Sequence, residues 1–263
     1  MYQALIGAWP GQIDDDFVKR AQSYALKAAR EGKQETSWTS PDENYERALQ
    51  DFIAGVLDPV RSAEFLTSFA EFSARTSLLG ALSGLSQLAL KALLPGVPDF
   101  FQGTEFWDLS FVDPDNRRPV DFDARQRELN RMPSDWAELA SNWRDGRIKL
   151  ALTGRLLDLR ARFPELLRRG SYECLTCKGT HSDHVIAFSR TLKRQQIVVA
   201  IGRHLGPLTT GGRTWPKGWD AVLPTPLKAS YEDLLQVIPA KRIRELNCAE
   251  LFHPFPISAL RRV

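Results

Sequence analysis

The sequence predicts an α/β region over residues 1–170, followed by an all-β domain over residues 171–263. Before residue 170, apolar side chains recur mainly with the 3.6-residue spacing of helices, interrupted by one strand-like run. Beyond it, strand-length apolar segments alternate with clusters of Gly, Asp and Lys, which is typical of a small antiparallel sandwich. A parallel strand needs neighbours, so a single strand among helices indicates part of a larger α/β structure.

Composition excludes several classes of protein. The 263 residues are 43% hydrophobic, and 35 Lys plus Arg against 32 Asp plus Glu give a net charge of +3 without a run of like charge. We therefore expect no nucleic-acid partner. The most apolar run, residues 78–94, is interrupted by polar side chains and is shorter than the roughly 20 residues of a membrane span. Three cysteines and no leader pattern favour the cytoplasm.

Periodicity and capping signals predict the helices. The second is expected to begin with Ser40 as N-cap, Pro41 in the first turn and Glu43 completing a capping box. The long pattern that follows is expected to break near Gly80 or Gly84 and to stop at Pro95. The predicted helical segments are 14–32, 40–56, 61–93, 121–131, 134–143 and 145–162, with short stretches near 230 and 246.

The predicted strands are apolar runs with turn residues at their ends. One is the segment "VPDFFQG", with a strand over 97–101; the others are "SYECLTCKG", "HVIAFSRTL" and "QQIVVAIGR", which begin at residues 171, 184 and 195. Directly after the first comes "TEFWDLSFVDPDNRRPVDFD", which concentrates carboxylates, amides, arginines and a tryptophan in one loop. This mixture suits a polar, ring-shaped ligand.

The residues around this loop resemble a known family. "GVPDFFQGTE" resembles the last barrel strand of the α-amylase clan of glycoside hydrolases and transglycosylases. "YQALIGAWPG", "TSWTSPDENYE" and "FWDLSFVDPDNRRPVDFD" resemble the maltooligosyl trehalose synthase family, and "DGRIKLALTGRLLDLRARFPELLRRGSY" is similar to its passage from barrel to C-terminal domain. The resemblance covers nearly the whole chain, up to "PFPISALRRV", and corresponds to the C-terminal portion only.

The resemblance implies a fold and an activity. Residues 1–170 would be the C-terminal part of a (β/α)8 barrel, mainly helices and the last strand, and residues 171–263 a small antiparallel β-sandwich. The family is a (1→4)-α-D-glucan 1-α-D-glucosylmutase, an isomerase of trehalose biosynthesis. It converts the reducing-end α-1,4 linkage of a maltooligosaccharide into an α,α-1,1 linkage without a cofactor.

The family's catalytic Asp, Glu and Asp precede the segment that corresponds to Met1, so we expect no catalytic residue here and no activity of the chain alone. The expected partners are a maltooligosaccharide or glucan and the missing N-terminal half of the barrel. Unpaired strand edges are expected to favour homo-oligomers or aggregates. The resemblance also implies that the loop is the rim of the sugar site, because barrel enzymes build their sites at the C-terminal ends of the strands. The expected substrate-binding residues are Gln102, Glu105, Trp107, Asp108, Asp113, Asp115, Asn116, Arg117 and Arg118.

Each of these residues also has a purely structural interpretation. Glu105 can hold the loop instead of touching a ligand, and "DPDNR" is strong turn chemistry. Trp107 can pack beneath the loop, and packing in the core or between helices is favoured for Trp38. A second hypothesis is therefore a non-catalytic glucan-binding or structural remnant.

The segment "CLTCKGTHSDH" is the one candidate for a metal site that we considered, and the spacing of its cysteines and histidines decides against it. Cys174, Cys177, His181 and His184 are potential zinc ligands, but the gaps are too short for a finger-type site. The cysteine pair lies in a strand-like segment rather than at the start of a helix, which also argues against a redox pair. We therefore expect no metal and no other cofactor.

Overall fold

The computed structural model describes residues 1–133, 135–224, 229–235, 238–241 and 245–263. The helices are α1 (Tyr2–Ala8), α2 (Asp15–Gly32), α3 (Glu43–Leu57), α4 (Ala63–Leu93), α5 (Phe122–Asn130), α6 (Trp136–Ser141), α7 (Arg147–Arg162), α8 (Pro164–Arg169) and α9 (Cys248–Leu251). The strands are β1 (Ser171–Cys174), β2 (Val185–Leu192), β3 (Gln195–Gly202), β4 (Val222–Pro224), β5 (Tyr231–Asp233), β6 (Ile238–Lys241), β7 (Glu245–Asn247) and β8 (Ile257–Arg262). The predicted order of helices before an antiparallel sheet is confirmed.

The chain divides into two compact units. The first comprises residues 1–77 and 108–120, and the second residues 78–107 and 121–263, so that α4 contributes to both. Secondary structure changes at Gly170, as α8 ends at Arg169 and β1 begins at Ser171. This change lies inside the second unit, and the division into domains 1–170 and 171–263 stays a prediction.

The first unit is built on amphipathic helices. Apolar side chains of α1, α2, α3 and the first half of α4 pack into one core that includes Leu5, Phe17, Ile53, Phe69 and Phe111. Helix α2 begins as predicted, because the Asp14 carboxylate accepts a hydrogen bond from the Phe17 N–H at 2.8 Å.

The predicted N-cap of α3 was wrong. The N-cap of α3 is Asp42, which accepts from the N–H groups of Asn44 and Tyr45, and not Ser40. The Asp42 N–H itself donates to Thr36, which sets the chain in place for capping two residues later than predicted.

Helix α4 runs without the break expected near Gly80 or Gly84. A glycine in a helix costs only about 1 kcal/mol, and buried leucines such as Leu82 and Leu85 on either side favour continuation through packing. None of the helices in the described ranges, α4 included, has the length and apolarity needed to cross a membrane.

The second unit is organised around a six-stranded antiparallel sheet with the order β1-β2-β3-β8-β5-β6. Its side chains alternate between two cores, as the period of two requires. Phe188, Ile197, Val199 and Ile257 pack with α4, α7 and α8, whereas Val185, Ala187, Val198 and Leu260 pack with residues of the small sheet β4-β7. The sheet therefore has both faces covered, by helices on one side and by the small sheet with residues of α4 and α9 on the other.

Two strand and helix expectations were wrong in this unit. Residues 97–101 do not form a strand, because the only hydrogen bonds of their backbone with described residues are local ones, from Thr104 to the Phe101 carbonyl. The stretch near 230 is not helical but contains β5, since Tyr231 and Asp233 pair with β8. Strands β2 and β3 confirm the predictions that begin at residues 184 and 195, whereas only Ser171–Cys174 of "SYECLTCKG" forms a strand. The helix predicted over residues 134–143 is α6, at Trp136–Ser141, and Ser134 lies outside the described residues.

The junction between helices and sheet is held by a buried arginine. Arg190, in β2, is fully buried, and its guanidinium donates hydrogen bonds only to backbone carbonyl groups. These carbonyls belong to Leu93 (3.0 Å), Leu166 (3.4 Å), Leu167 (2.9 Å), Gly170 (3.0 Å) and Ser171 (3.1 Å). The ends of α4 and α8 and the start of β1 are thus satisfied by one side chain.

The electrostatics of Arg190 match its position. Burial, with a smaller contribution from the nearby charge of Arg160, lowers the pKa of Arg190. The partial negative charge of two helix C-termini offsets part of that cost. Gly170 is required beside it, because a Cβ there would overlap the carbonyl oxygen of Leu166.

Helices α2 and α3 are joined by an ion pair. Arg30 donates two hydrogen bonds to Glu46, at 2.7 and 2.6 Å, and Thr36 Oγ1 donates a third at 2.6 Å. The hydrogen bonds from Arg30 and Thr36, with the charge of Arg30, outweigh desolvation and lower the pKa of Glu46 to about 2. The pair is therefore a pH-dependent contact within the first unit.

We predict that Arg190→Met will lower the free energy of unfolding by about 3 kcal/mol, because several buried carbonyls lose their donor. Arg194→Met is the matched control, since Arg194 is exposed in the turn between β2 and β3, and it should change stability by less than about 0.5 kcal/mol. Urea unfolding measures both. Equal stability of the two variants would contradict the role given to Arg190.

We also predict that Glu46→Gln will destabilise the protein at pH 7 and that its difference from wild type will shrink as the pH falls. The folded pKa of Glu46 is lowered, so its contribution is complete above the ordinary glutamate value of about 4.3 and is lost as the pH falls toward about 2. Urea midpoints from pH 7 to pH 2 measure the difference. Glu35→Gln, at an exposed position, is the control, and a pH-independent difference for Glu46→Gln would contradict the assignment.

Candidate functional site

The loop from Gln102 to Arg118 is shared between the two units. Residues 102–107 belong to the second unit, and residues 108–118 to the first. The two parts differ in what holds them.

In the second unit, Glu105 is an anchor of the loop. Its carboxylate accepts from Arg125 Nε at 2.7 Å and from the N–H of Gly103 at 3.1 Å. Arg125, on α5, also donates to the Gly103 carbonyl at 2.6 Å and lies over the Phe106 ring at 5.1 Å from its centroid. These hydrogen bonds agree with a role of Glu105 in supporting the loop. Contact between Glu105 and a ligand stays a prediction.

Trp107 is also tied to its own unit. Its Nε1–H donates to the Trp143 carbonyl at 2.7 Å, and the two rings meet edge to face at 6.4 Å. The half-buried indole packs against the helical core, with Lys149 Nζ 5.6 Å from its ring centroid. Gln102, by contrast, is exposed.

In the first unit, Asp115 is the centre of the loop. Its side chain is 11% exposed and accepts from Arg20 Nε at 2.9 Å and Nη2 at 2.8 Å. The N–H of Phe111 donates to the same carboxylate at 2.7 Å, and Arg20 also reaches the Leu109 carbonyl at 2.9 Å. Burial opposes ionisation, but the hydrogen bonds from Arg20 and Phe111 and the charges of Arg20 and Arg118 outweigh it and lower the pKa of Asp115.

The remaining loop residues make turns on the surface. Asp115 to Arg117 form a 3-10 turn, Asp108 accepts from the Ser110 N–H at 3.0 Å, and Asp113 pairs with Arg117. Arg118 donates to the Asp115 carbonyl at 3.1 Å and to Ser110 Oγ at 3.2 Å. The exposed candidates are Gln102, Asp108, Asn116, Arg117 and Arg118.

Sequence reasoning missed the two arginines that hold this loop. Arg20 lies 95 residues before Asp115, and Arg125 lies on a helix that the sequence marks only by polarity. From the sequence, one could infer only that Glu105 and Asp115, if buried, would each need a basic partner. The sequence does not show which arginine that partner is.

Trp38 is not packed between helices as favoured. It is 57% exposed, and the Arg30 guanidinium lies 4.8 Å from its ring centroid. Because Arg30 is held by Glu46, the arginine presents its face to the indole in a fixed position.

The two cysteines and two histidines between residues 174 and 184 do not form a metal-binding cluster. Cys174 is exposed with its sulfur 3.3 Å from the Tyr172 hydroxyl, whereas Cys177 is buried. A hydrogen bond with Cys248 lowers the pKa of Cys177 against the effect of its burial. Within the described ranges, no group of three or more His, Cys, Asp or Glu is arranged to hold a metal ion.

The chain is similar to solved structures of maltooligosyl trehalose synthases. The maltooligosyltrehalose synthase from Arthrobacter ramosus is 31% identical, with a TM-score of 0.77, over 100% of this chain and 32% of that enzyme. A second crystal structure of a maltooligosyl trehalose synthase is 30% identical, with a TM-score of 0.79, over 100% of this chain and 32% of that one.

Curated relatives have the same name. "Putative maltooligosyl trehalose synthase" from two Mycobacterium tuberculosis strains is 32% identical over 265 aligned residues, covering 100% of this chain and 31% of the relative. No protein-family model matches the chain. The chain is therefore related, over its whole length, to a C-terminal portion of maltooligosyl trehalose synthase, and it spans about a third of the relatives it matches.

We predict that Asp115→Ala will lower stability by about 2 kcal/mol, because the charged hydrogen bonds to Arg20 are lost and Arg20 is left without its partner. Asp51→Ala, at an exposed position on α3 of the same unit, is the matched control. Urea unfolding at pH 7 and pH 3 measures both variants. The lowered pKa of Asp115 requires the loss to be larger at pH 7, and equal losses for the two variants would contradict the central position of Asp115.

Proposed function

We propose that this chain is the C-terminal portion of a maltooligosyl trehalose synthase. Within residues 1–170 it would contribute late helices of a (β/α)8 barrel and the segment 97–101 that corresponds to the last barrel strand, and within residues 171–263 a β-sandwich domain. The observation that carries the proposal is the similarity of the entire chain to solved synthases, with TM-scores of 0.77 and 0.79.

The proposed reaction is an intramolecular transglucosylation in the biosynthesis of trehalose, in which a reducing-end α-1,4 linkage becomes α,α-1,1. The clan's retaining chemistry uses a carboxylate nucleophile and a carboxylic acid/base close to each other, and no cofactor. We assign those carboxylates to the part of the synthase that these residues do not span. The chain then acts only together with that part, in the cytoplasm.

The loop would supply the glucan-binding rim. Sugar hydroxyl groups bind well to planar amide, carboxylate and guanidinium groups, which form paired hydrogen bonds. Gln102, Asn116, Arg117 and Arg118 are exposed and present these groups. Glu105 and Asp115 would act beneath them by holding the two parts of the loop through Arg125 and Arg20.

The alternative is a non-catalytic glucan-binding or structural remnant. The internal hydrogen bonds of Glu105, Trp107 and Asp115 support it, because each of these groups already has a partner within its unit. A test must therefore use the exposed residues rather than Trp107, whose removal would also disturb packing.

We expect calorimetric titration with maltoheptaose to detect binding. Arg117→Ala and Gln102→Ala should each weaken it by up to about tenfold, the equivalent of one hydrogen bond with a net value near 1.4 kcal/mol. Arg194→Ala, at an exposed position away from the loop, should bind like the wild type. Absence of binding would contradict the proposed rim and favour a structural remnant.

A further inference from the structure

The first unit carries an exposed aromatic plate outside the loop of the candidate site. Trp38 is 57% exposed, although tryptophan is among the side chains that bury the largest apolar area. The Arg30 guanidinium lies over one face of its ring, 4.8 Å from the centroid. The area open to water therefore lies on the opposite face and along the edge of the indole. Within the described residues, the indole N–H has no hydrogen-bond acceptor.

The plate is held in a fixed orientation. Arg30 is kept under the indole by Glu46, whose carboxylate accepts two hydrogen bonds from it, at 2.7 and 2.6 Å. The turn that carries Trp38 is closed by a hydrogen bond from the Ser37 N–H to the Ser40 carbonyl at 3.2 Å. A side chain that is already ordered loses little conformational entropy when a ligand binds to it.

The turn around the plate is rich in hydroxyl groups. Ser37, Thr39 and Ser40 all belong to it, and the last two are exposed. Ser37 Oγ accepts from the Ser40 N–H at 3.0 Å and lies 3.4 Å from Thr39 Oγ1. A hydroxyl group both donates and accepts hydrogen bonds. Together with the indole N–H, these groups form a neutral polar rim beside an apolar ring face.

Charge argues against an ionic ligand on the plate. The exposed carboxylates of Glu35, Asp42 and Glu43 flank the turn in the sequence and would repel an anion. A cation on the open face would share the ring with the Arg30 guanidinium, which already uses the negative potential of the π-system. The ligand that fits best is therefore neutral.

The apolar area is too small for a protein interface. One tryptophan side chain buries at most about 250 Å², whereas a stable interface takes roughly 800 Å² from each partner. The residues on either side, 33–35 and 39–44, are all exposed, and only Pro41 among them is apolar. A small ligand with one apolar face and a polar edge matches this surface better than another polypeptide does.

We propose that Trp38 is the platform of a second carbohydrate site, on which a glucose ring of an α-1,4-glucan stacks through its C–H face. A pyranose ring is neutral, and the hydroxyl groups at its edge would bond to the turn 37–40. The choice of α-1,4-glucans among carbohydrates rests on the proposed function. The site is separate from the proposed rim, because Arg20, which holds Asp115, and Arg30 lie on α2 about 15 Å apart along the helix axis.

The test is an NMR titration of the ¹⁵N-labelled 263-residue protein with maltotriose. We expect saturable shifts of the Trp38 indole N–H, which is assigned by its loss in Trp38→Leu, and of the amides of Ser37, Thr39 and Ser40. Sorbitol is the matched control ligand, because it has the hydroxyl groups of a sugar without a ring face. At equal concentration it should shift none of these signals.

Three variants identify stacking as the cause. Trp38→Leu keeps an apolar side chain without a flat face and should weaken binding, followed at the Ser37 and Ser40 amides, at least about tenfold. Trp38→Phe keeps a smaller plate and should lose less. Phe52→Ala is the matched control, because Phe52 is 61% exposed on α3 of the same unit, and it should bind like the wild type. Trp38 and Phe52 are both largely exposed, so we expect all three variants to fold, which the rest of the NMR spectrum verifies.

The inference falls if maltotriose leaves the Trp38 signal unchanged, if sorbitol shifts it equally, or if Trp38→Leu binds as tightly as the wild type. Shifts of the same signals on raising the protein concentration without sugar would assign the plate to contact between copies and would also overturn it.

Arg117→Ala separates this inference from the proposed rim. Unchanged Trp38 shifts in that variant support a second site, whereas their loss would mean that one site includes both residues and would overturn the inference. Maltoheptaose binding that depends on Arg117 without a response at Trp38 would keep the rim alone. A response at Trp38 with maltoheptaose binding that is insensitive to Arg117→Ala and Gln102→Ala would keep the second site and contradict the rim.

Discussion

The structure of the second unit depends on the buried guanidinium of Arg190. It is the point at which two helices end and the sheet begins, and it donates hydrogen bonds to carbonyls of the buried residues Leu93 and Leu167 at the ends of α4 and α8. Arginine suits this position because its planar fork carries five donors and keeps its charge, which the C-termini of α4 and α8 accommodate. With that junction in place, the two faces of the sheet are positioned to cover separate cores, one helical and one shared with the smaller sheet.

Arginines also govern the candidate site, one in each unit. Arg125 holds the part of the loop that includes Glu105, and Arg20 holds the part that includes Asp115. Both arginines lie on helices, so the loop is anchored by regular structure even though it has little regular structure itself. The acidic residues that the sequence marks as candidates thus divide into internal anchors and exposed groups, and the exposed groups are the ones available to a ligand.

The helices and the antiparallel strands were predictable because local periodicity and turn chemistry specify them. The errors arose where longer-range contacts decide. Asp42 rather than Ser40 caps α3 because Thr36 holds it, and α4 passes Gly80 because neighbouring leucines are packed. The segment around Val97 has the composition of a strand, but strand formation requires a partner that local sequence does not contain. The ion pairs Arg20–Asp115 and Arg125–Glu105 could not be predicted, because a single sequence does not show which side chains far apart in the chain are in contact.

The most direct test is whether this chain, combined with the part of a synthase that it does not match, carries out the proposed transglucosylation. This chain and the Arthrobacter ramosus synthase, shortened by the third that this chain matches, would be incubated with maltoheptaose separately and together. Reducing ends and the anomeric proton of an α,α-1,1 linkage would be followed by NMR. We expect that neither polypeptide alone changes the substrate, and that together they remove reducing ends and produce the new anomeric signal. Conversion by the chain alone, or a verified complex with no conversion, would contradict it.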